Sequence, residues 1–186
     1  MPDIQRCPWV PADDPLYIQY HDEEWGKPAH DDRKLFEMLA LEGMQAGLSW
    51  KTILRKRDTF RQAFDFFDVD KVIAYDDAKI AALMQNPGII RNRAKISAVI
   101  TNAKAFRRIQ ESHGSFDRFL WAYVNGEPLT IRRSGQADVP ARTELSDQIS
   151  GDLKKLGFTF VGSTIICAYM HAVGLINGHT EDCSFI

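Results

Sequence analysis

The chain has 186 residues, a formal net charge of −2 and 45% hydrophobic residues. This balance predicts a single folded domain over 1–186 and excludes a disordered chain. No apolar run is long enough to span a membrane, and the N-terminus lacks the basic and apolar regions of a signal peptide. We therefore expect a cytoplasmic protein without membrane association, whose three cysteines are thiols or metal ligands rather than disulfides.

The net charge conceals an uneven distribution along the chain. Residues 51–110 carry 13 basic and 6 acidic side chains, whereas residues 1–50 carry 4 and 10. A basic middle third can bind a polyanion locally even in a protein that is nearly neutral. Solvated helix faces would give the same count, so charge alone leaves both interpretations open.

In chain order, the first predicted elements are an irregular aromatic opening and a buried helix. The opening covers 1–29, with a short helix within 15–24. The next helix is capped by Asp31 or Asp32 and ends at Gly47. Its apolar residues cover most of its circumference, which indicates burial. It also contains Glu42, a carboxylate that is costly to bury without a partner.

The middle of the chain is predicted to form further helices with polar caps, interrupted by one sharp break. Ser49 caps a helix that continues through Phe60 and exposes the basic run 55–57. Asp68 and Asp76 each precede a short helix, over 69–74 and 78–84. The sequence at 86–88, Asn-Pro-Gly, is a break, and a long amphipathic helix follows over 91–110.

The last third is also predicted to be helical. Helices are expected after the pair Gly114-Ser115, over 144–156 and over 165–173, with a long loop over 129–143 that contains at most a short extended piece. No set of segments alternates with the period of two that strands require. The chain is therefore predicted to be all-α.

A metal site is the first candidate for function. Cys7 and His21 lie in the irregular opening, and His179 and Cys183 lie in the C-terminal tail at a spacing that lets both reach one ion. Such a Cys2His2 set would be a closed, structural zinc site. The alternative is four scattered residues, because three cysteines and five histidines make chance pairs easy.

The break at 86–91 is the second candidate. A glycine turn before a helix exposes backbone N–H groups beside the positive end of the helix dipole, which suits a phosphate. Arg91, Arg93 and Lys95 add positive charge just beyond the turn. An ordinary turn between two helices would look the same.

The surroundings of Glu42 are the third candidate. Aromatic residues with a polar edge lie close to it or to the metal candidates in sequence: Trp9, Tyr17, Tyr20 and Trp50. A carboxylate among such rings could bind a flat cationic ligand by stacking, cation–π attraction and hydrogen bonds. The alternative is a core glutamate bonded to backbone N–H groups or to an arginine.

Together these features resemble the 3-methyladenine DNA glycosylase I family, a branch of the helix-hairpin-helix glycosylases. The resemblance runs from Cys7 to Cys183 and is carried by RCPW at 6–9, DPLYIQYHDEEWG at 14–26, LFEMLALEGMQAGLSWKTILRKR at 35–57, GIIRNRAKI at 88–96, GFTFVGSTIICAYM at 157–170 and GLINGH at 174–179. It implies a helix-hairpin-helix DNA glycosylase fold, with the hairpin over 78–110. It also implies that 1–29 and 174–186 together form a zinc-binding segment.

The resemblance also implies the roles of individual residues. The structural zinc ligands would be Cys7, His21, His179 and Cys183. Glu42, Tyr20 and Trp50 would contact the excised base as the catalytic set, with Trp9 and Tyr17 lining the same pocket. The DNA contacts would be Gly88, Ile89, Ile90, Arg91, Arg93 and Lys95. The aspartate that many helix-hairpin-helix glycosylases place about twenty residues after the hairpin is missing here, as is known for this branch.

The chemistry of the implied substrate explains why that aspartate is dispensable. Methylation at N3 gives adenine a positive charge and makes it a good leaving group. The protein would flip the nucleotide out of double-stranded DNA, and an ionised Glu42 would accept hydrogen bonds from the base. We expect a monofunctional enzyme without lyase activity, acting as a monomer on alkylated purines.

Two other functions are compatible with parts of the sequence. His21-Asp22 in an all-α chain resembles metal-dependent HD-type phosphohydrolases, but these need an earlier histidine, and none precedes His21. A module that binds alkylated DNA without cleaving it would share every motif. Release of free base from methylated DNA separates that module from an enzyme.

Overall fold

The computed structural model of the chain describes residues 4–131, 134 and 140–186, and it consists largely of helices. In order these are α1 (Pro15–Glu23), α2 (Asp32–Gln45), α3 (Trp50–Arg55), α4 (Arg57–Ala63), α5 (Val69–Ile73), α6 (Asp77–Gln85), α7 (Arg93–His113), α8 (Phe116–Trp121), α9 (Glu144–Lys155) and α10 (Ser163–Ala172). Short 3-10 turns lie at Asp65–Phe67 and Ala122–Val124. The prediction of an all-α chain is confirmed.

The 129–143 segment is described only in part. Its short extended piece is β1 (Leu129–Thr130), which pairs in parallel with β2 (Ile176–Asn177). The rest of the predicted loop includes 132, 133 and 135–139, which lie outside the described residues. Among the residues that are described, no helix has both the length and the apolar character needed to cross a membrane.

Polar caps set the starts of most helices. Asp31, rather than Asp32, caps α2 by accepting a hydrogen bond from the N–H of Lys34 at 2.8 Å. Asp32 caps a different helix, because its carboxylate accepts from the N–H groups of Phe116 and Asp117 at the start of α8. Each cap satisfies backbone donors that the first turn of a helix leaves without partners. The second contact also fixes α8 against the start of α2.

Helix α2 is buried, as its apolar pattern predicted. Ten consecutive residues, from Leu35 to Met44, are buried. Helix α7 packs on one side of α2 and α10 on another. The hydroxyl of Tyr169 on α10 donates to the carbonyl of Leu35 at 3.1 Å, so these two helices are joined by a polar contact as well as an apolar one.

The single helix predicted from Ser49 through Phe60 is instead two helices. Ser49 caps α3 as expected, but the chain turns at Lys56, and α4 starts in a new direction. The turn carries Arg57 into the interior, where it is only 5% exposed. The prediction that the whole basic run 55–57 is exposed is therefore wrong for Arg57.

Arg57 connects three helices through charged hydrogen bonds. Its guanidinium makes two bonds to Glu24 at the end of α1, at 2.8 and 2.9 Å, and one to Glu37 on α2 at 2.6 Å. Lys34 also contacts Glu24, and Arg61 contacts Glu37. Burial alone would raise the pKa of Glu24, but Arg57 and Lys34 outweigh it and lower the pKa to about 2. This network sets the position of α1 over α2.

Replacing Arg57 with methionine should destabilise the fold by about 2 kcal/mol. The substitution leaves two carboxylates near the core without their main partner, while Lys34 and Arg61 retain part of the compensation. Urea unfolding measures the loss. An Arg55→Met variant is the matched control, because Arg55 is exposed. Equal stability of the two variants would contradict a structural role for Arg57.

Candidate active site and metal centre

The four metal candidates from the two ends of the chain meet in the structure. Cys7, His21, His179 and Cys183 are all buried, and their ligand atoms lie within 4.8 Å of one another. Cys183 Sγ lies 3.2 Å from His179 Nδ1 and 3.6 Å from His21 Nε2, and Cys7 Sγ lies 3.5 Å from His179 Nδ1. The N-terminal opening and the C-terminal tail therefore converge on one point.

The second nitrogen of each histidine has a partner of its own. His21 Nδ1 lies 2.7 Å from the carboxylate of Asp22, which Arg6 holds in turn at 2.7 Å. His179 Nε2 lies 3.0 Å from the carbonyl of Trp25. These acceptors fix the tautomers so that His21 Nε2 and His179 Nδ1 present lone pairs to the cluster. Histidines that bind metal ions are commonly oriented by such an acceptor on the other ring nitrogen.

The residues present fit a tetrahedral zinc ion. With Zn–S bonds of about 2.3 Å and Zn–N bonds of about 2.1 Å, a sulfur and a nitrogen of one tetrahedron are about 3.6 Å apart. The sulfur–nitrogen distances of the cluster are 3.2, 3.5 and 3.6 Å. Two thiols and two imidazoles form a closed set that leaves no position for substrate, so the group would be structural.

Aromatic rings lead from the cluster of Cys7, His21, His179 and Cys183 towards Glu42. Trp9 packs edge-on against the His21 ring at 5.2 Å and against Trp25 at 4.8 Å. On its other side Trp9 contacts Tyr17 at 5.8 Å. The cluster thus holds Trp9 against the first turn of α1. Tyr17, Tyr20 and His21 all belong to this helix.

Glu42 lies in the interior without a protein partner for one of its oxygens. The residue is 4% exposed, and Oε2 makes no hydrogen bond in the described part of the chain. The indole Nε1 of Trp50 is likewise buried and unbonded there. Burial raises the pKa of the Glu42 carboxyl from 4.5 to about 8, so it is mostly protonated at pH 7 in the free protein. The ionised state expected from the sequence requires a positive ligand to stabilise it.

Three tyrosines lie within electrostatic range of Glu42. For Tyr17, Tyr20 and Tyr169, burial raises the pKa of the hydroxyl, and the Glu42 carboxylate raises it further. The Tyr20 ring also lies 5.2 Å from the Trp50 ring, at an angle of 47°. Among the residues that the structure describes, no arginine pairs with Glu42, and the buried Arg57 binds Glu24 and Glu37 instead.

The hairpin consists of α6, a turn over 86–92 and α7. Asn92 caps α7 by accepting from the N–H of Lys95 at 3.1 Å, and Asn86 accepts from the N–H of Gly88 at 2.8 Å. The turn lies close to α4, since a Cβ on Gly88 would be 2.1 Å from Thr59 Cγ2. Lys56 donates to the carbonyl of Pro87 at 2.9 Å. The turn is therefore held against the junction of α3 and α4.

A Gly88→Ala substitution should destabilise the protein by about 1–3 kcal/mol and shift the hairpin turn, because the added methyl group overlaps Thr59. Urea unfolding measures this loss. Gly151→Ala on α9 is the matched control, since a Cβ there meets nothing within 4 Å. That variant should be neutral or slightly stabilising. Equal stability of the Gly88 and Gly151 variants would show that the turn can accommodate a methyl group at position 88.

The residues predicted to contact DNA do not all face outward. Arg91 and Arg93 are exposed at the start of α7. Ile89 is buried, with its N–H bonded to the carbonyl of Asn86, and Ile90 is partly buried. Lys95 departs from the prediction, because its ammonium points inward and donates to the carbonyls of Met44 and Ala46.

Sequence reasoning missed several residues that shape the site. The sequence marks Asp22 only as part of the His21-Asp22 pair, although its carboxylate orients the His21 ring towards the cluster. Trp25 packs against His21, His179 and Trp9. Tyr169 is the one tyrosine of α10, and its polar hydroxyl on a largely apolar helix was the available signal for a position near Glu42.

Comparison with known proteins gives one consistent family. The family model described as methyladenine glycosylase matches residues 9–186. DNA-3-methyladenine glycosylase 1 of Escherichia coli is 47% identical over 180 residues, which cover 97% of this chain and 96% of the relative. A crystal structure of 3-methyladenine DNA glycosylase I superposes with a TM-score of 0.94 at 47% identity, covering 97% of this chain and 98% of the other.

A third match is a structure of 3-methyladenine recognition by 3-methyladenine DNA glycosylase I of Staphylococcus aureus. It has a TM-score of 0.91 and 39% identity, and it covers 92% of each chain. The fold and these relatives identify a DNA-repair glycosylase, a hydrolase that acts on N-glycosyl bonds. The chain belongs to the methyladenine glycosylase family.

Proposed function

We propose that this protein excises 3-methyladenine from alkylated double-stranded DNA by flipping the damaged nucleotide into the space around Glu42. The observation that carries the proposal is the pair of unbonded polar groups in the core, the Glu42 carboxyl and the Trp50 indole N–H. Buried polar groups are nearly always hydrogen-bonded, so a pair left open among aromatic rings indicates a ligand. Relatives named for 3-methyladenine support that base as the ligand.

Each pocket residue has a distinct task in this proposal. Tyr20 and Trp50 pack against the flipped base, and Trp9 and Tyr17 close the side towards the metal cluster. Glu42 accepts hydrogen bonds from the base and stabilises its positive charge. These three residues in contact with the base, Glu42, Tyr20 and Trp50, are the proposed catalytic set.

The raised pKa of Glu42 gives a physical basis for selectivity. A carboxyl with a pKa of about 8 is mostly neutral in the free protein at pH 7, and it ionises when a cationic base enters. Attraction between the two charges in a buried site is strong. Undamaged adenine is neutral and leaves poorly, so it does not gain this stabilisation. Because the methylated base departs as a good leaving group, we expect an intact abasic strand and no lyase step.

The two ends of the chain would be held by zinc. We propose Cys7, His21, His179 and Cys183 as its ligands, because their donor chemistry and spacing suit a closed tetrahedral site. The ion, when bound, supplies cross-linking of two aperiodic segments rather than chemistry on the substrate. The Trp9 and Tyr17 side of the pocket depends on that cross-link.

DNA would be bound by the hairpin. The backbone of Gly88, Ile89 and Ile90 precedes α7, and Arg91 and Arg93 are exposed beside it. The N–H groups of Gly88 and Ile89 bond to Asn86 within the turn, which leaves that of Ile90 for a phosphate. A helix start with adjacent cations suits the phosphates of one strand. Lys95 is left out of this set, since its ammonium is engaged in the interior.

Incubation of the purified protein with methylated DNA, followed by chromatography of the released bases, tests the proposal. We expect free 3-methyladenine and a strand that stays uncut until it is treated with alkali. Tight binding of methylated DNA without base release would identify a recognition module instead. Strand cleavage during the incubation would overturn the monofunctional assignment.

A further inference from the structure

Lys95 is a buried cation that connects the hairpin helix to the end of the Glu42 helix. It lies in the first turn of α7, two residues after Arg93, and is 8% exposed. Its Nζ donates to the carbonyl of Met44 at 2.8 Å and to that of Ala46 at 2.6 Å. Both acceptors are backbone atoms about fifty positions earlier in the chain.

These two carbonyls belong to the segment that leads from Glu42 to Trp50. The last carbonyls of a helix have no partner within the helix. Near the end of α2, Gly43 accepts from the N–H of Ala46, and Gln45 accepts from that of Leu48. Lys95 supplies donors to the carbonyls of Met44 and Ala46, which alternate along the chain with those of Gly43 and Gln45. A cation at a helix C-terminus is also favoured by the helix dipole.

The turn that Lys95 holds determines where Trp50 lies. Ala46 is the C-cap that follows α2, Gly47 adopts a positive φ of 76°, and α3 begins at Trp50. Met44 is two positions from Glu42, and Ala46 is four positions from Trp50. One ammonium therefore fixes the short connection between the two unbonded polar groups of the pocket. The same side chain is anchored on the helix that follows the DNA-binding turn.

We propose that Lys95 is a positioning residue that sets Glu42 and Trp50 relative to each other and to the hairpin, so that DNA bound at the hairpin presents its flipped base to a correctly spaced pocket. This inference rests on the proposed function. A displacement of about 1 Å in a positioned catalytic group can lower a rate by about two orders of magnitude. Lys95 would act through the backbone of the turn at 44–49, without touching DNA or base.

The test compares Lys95→Met with Lys104→Met, which removes the same charge from an exposed position of α7. Three quantities are measured at a temperature where both variants are folded: the single-turnover rate of base release at saturating DNA, the affinity for free 3-methyladenine, and the salt dependence of DNA binding. For Lys95→Met we expect the rate and the free-base affinity to fall by about 10-fold to 100-fold. The salt slope should match wild type, and Lys104→Met should be unchanged in rate and free-base affinity.

Other outcomes would overturn the inference. A phosphate contact predicts weaker DNA binding with a salt slope reduced by about one, and unchanged free-base affinity. A purely structural role predicts a lower melting temperature with normal rate and free-base affinity in the folded protein. If the wild-type protein releases no base, the proposed function fails, and the free-base affinities of the variants still decide the role of Lys95.

Lys95→Arg carries the test if Lys95→Met does not fold. Arginine keeps the charge and binds phosphate at least as well as lysine, so a DNA-contact role predicts wild-type behaviour. Its longer, planar guanidinium cannot place donors where Nζ places them. The positioning role therefore predicts reduced free-base affinity and a reduced rate for Lys95→Arg. Wild-type values of both would contradict it.

Discussion

Replacing Glu42 with glutamine should lower the single-turnover release of 3-methyladenine by roughly 100-fold without abolishing it. Glutamine keeps a carbonyl oxygen that accepts hydrogen bonds but cannot oppose the positive charge of the methylated base. Residual activity is expected because the methylated base is already a good leaving group. A well-folded variant with no activity above the spontaneous rate would show that Glu42 has an essential catalytic role beyond charge stabilisation.

The same substitution should stabilise the fold, and the gain should grow with pH. The pKa of Glu42 is about 8 in the folded protein, against an ordinary value of 4.5. Between these values the unfolded chain releases the proton while the folded protein keeps it, so wild-type stability falls as pH rises. The slope is at most about 1.4 kcal/mol per pH unit, and it levels off above pH 8. Glutamine removes this slope.

Melting temperatures of wild type and Glu42→Gln from pH 4.5 to 8.5 measure the effect. The two curves should be close at the acid end and several degrees apart at pH 8. Glu37→Gln on the same helix is the matched control, because Glu37 is paired with Arg57 and Arg61. That control should be destabilised. A constant difference between wild type and Glu42→Gln across the pH range would contradict a raised pKa for Glu42.

The local signals in the sequence were sufficient for most helix starts. Ser49, Asp68, Asp76 and Ser115 each cap the helix that follows, because the cap bond joins residues two or three positions apart. The burial of α2 also follows from its own residues. The meeting of Cys7, His21, His179 and Cys183 at one point could not be predicted from such local signals. Their spacing in the sequence left it open, and the family resemblance supported it.

Contacts between distant segments could not be read in the same way. The sequence predicted that Arg57 belongs to an exposed basic run. Its burial depends on the turn at Lys56 and on Glu24, which lies 33 positions earlier. Lys95 followed two exposed arginines, and its acceptors are backbone carbonyls, which no residue type marks. In both cases the side chain alone suggests solvent or DNA, and the tertiary packing determines the partner.

Removing the proposed zinc should destabilise the protein more than any of the single substitutions above. The described residues before α1 and after β2 contain no helix or strand, so the cross-link through Cys7, His21, His179 and Cys183 would be their main restraint. Structural zinc sites contribute folding free energy directly. Chelation should therefore lower the melting temperature by on the order of 10 °C. Base release should also fall, because Trp9 packs on His21 and also contacts Tyr17, which lines the proposed pocket.

Cysteine variants separate this site from thiol chemistry in general. Protein prepared without added zinc should contain one zinc per chain, and Cys183→Ser should lose most of it, together with the stability that chelation removes. Cys167→Ser is the matched control, because Cys167 is buried on α10 and is not one of the four clustered residues. That variant should keep its zinc. If wild-type protein contains no stoichiometric metal and melts at the same temperature with and without chelator, the buried thiols and imidazoles hold the two ends by packing and hydrogen bonds alone.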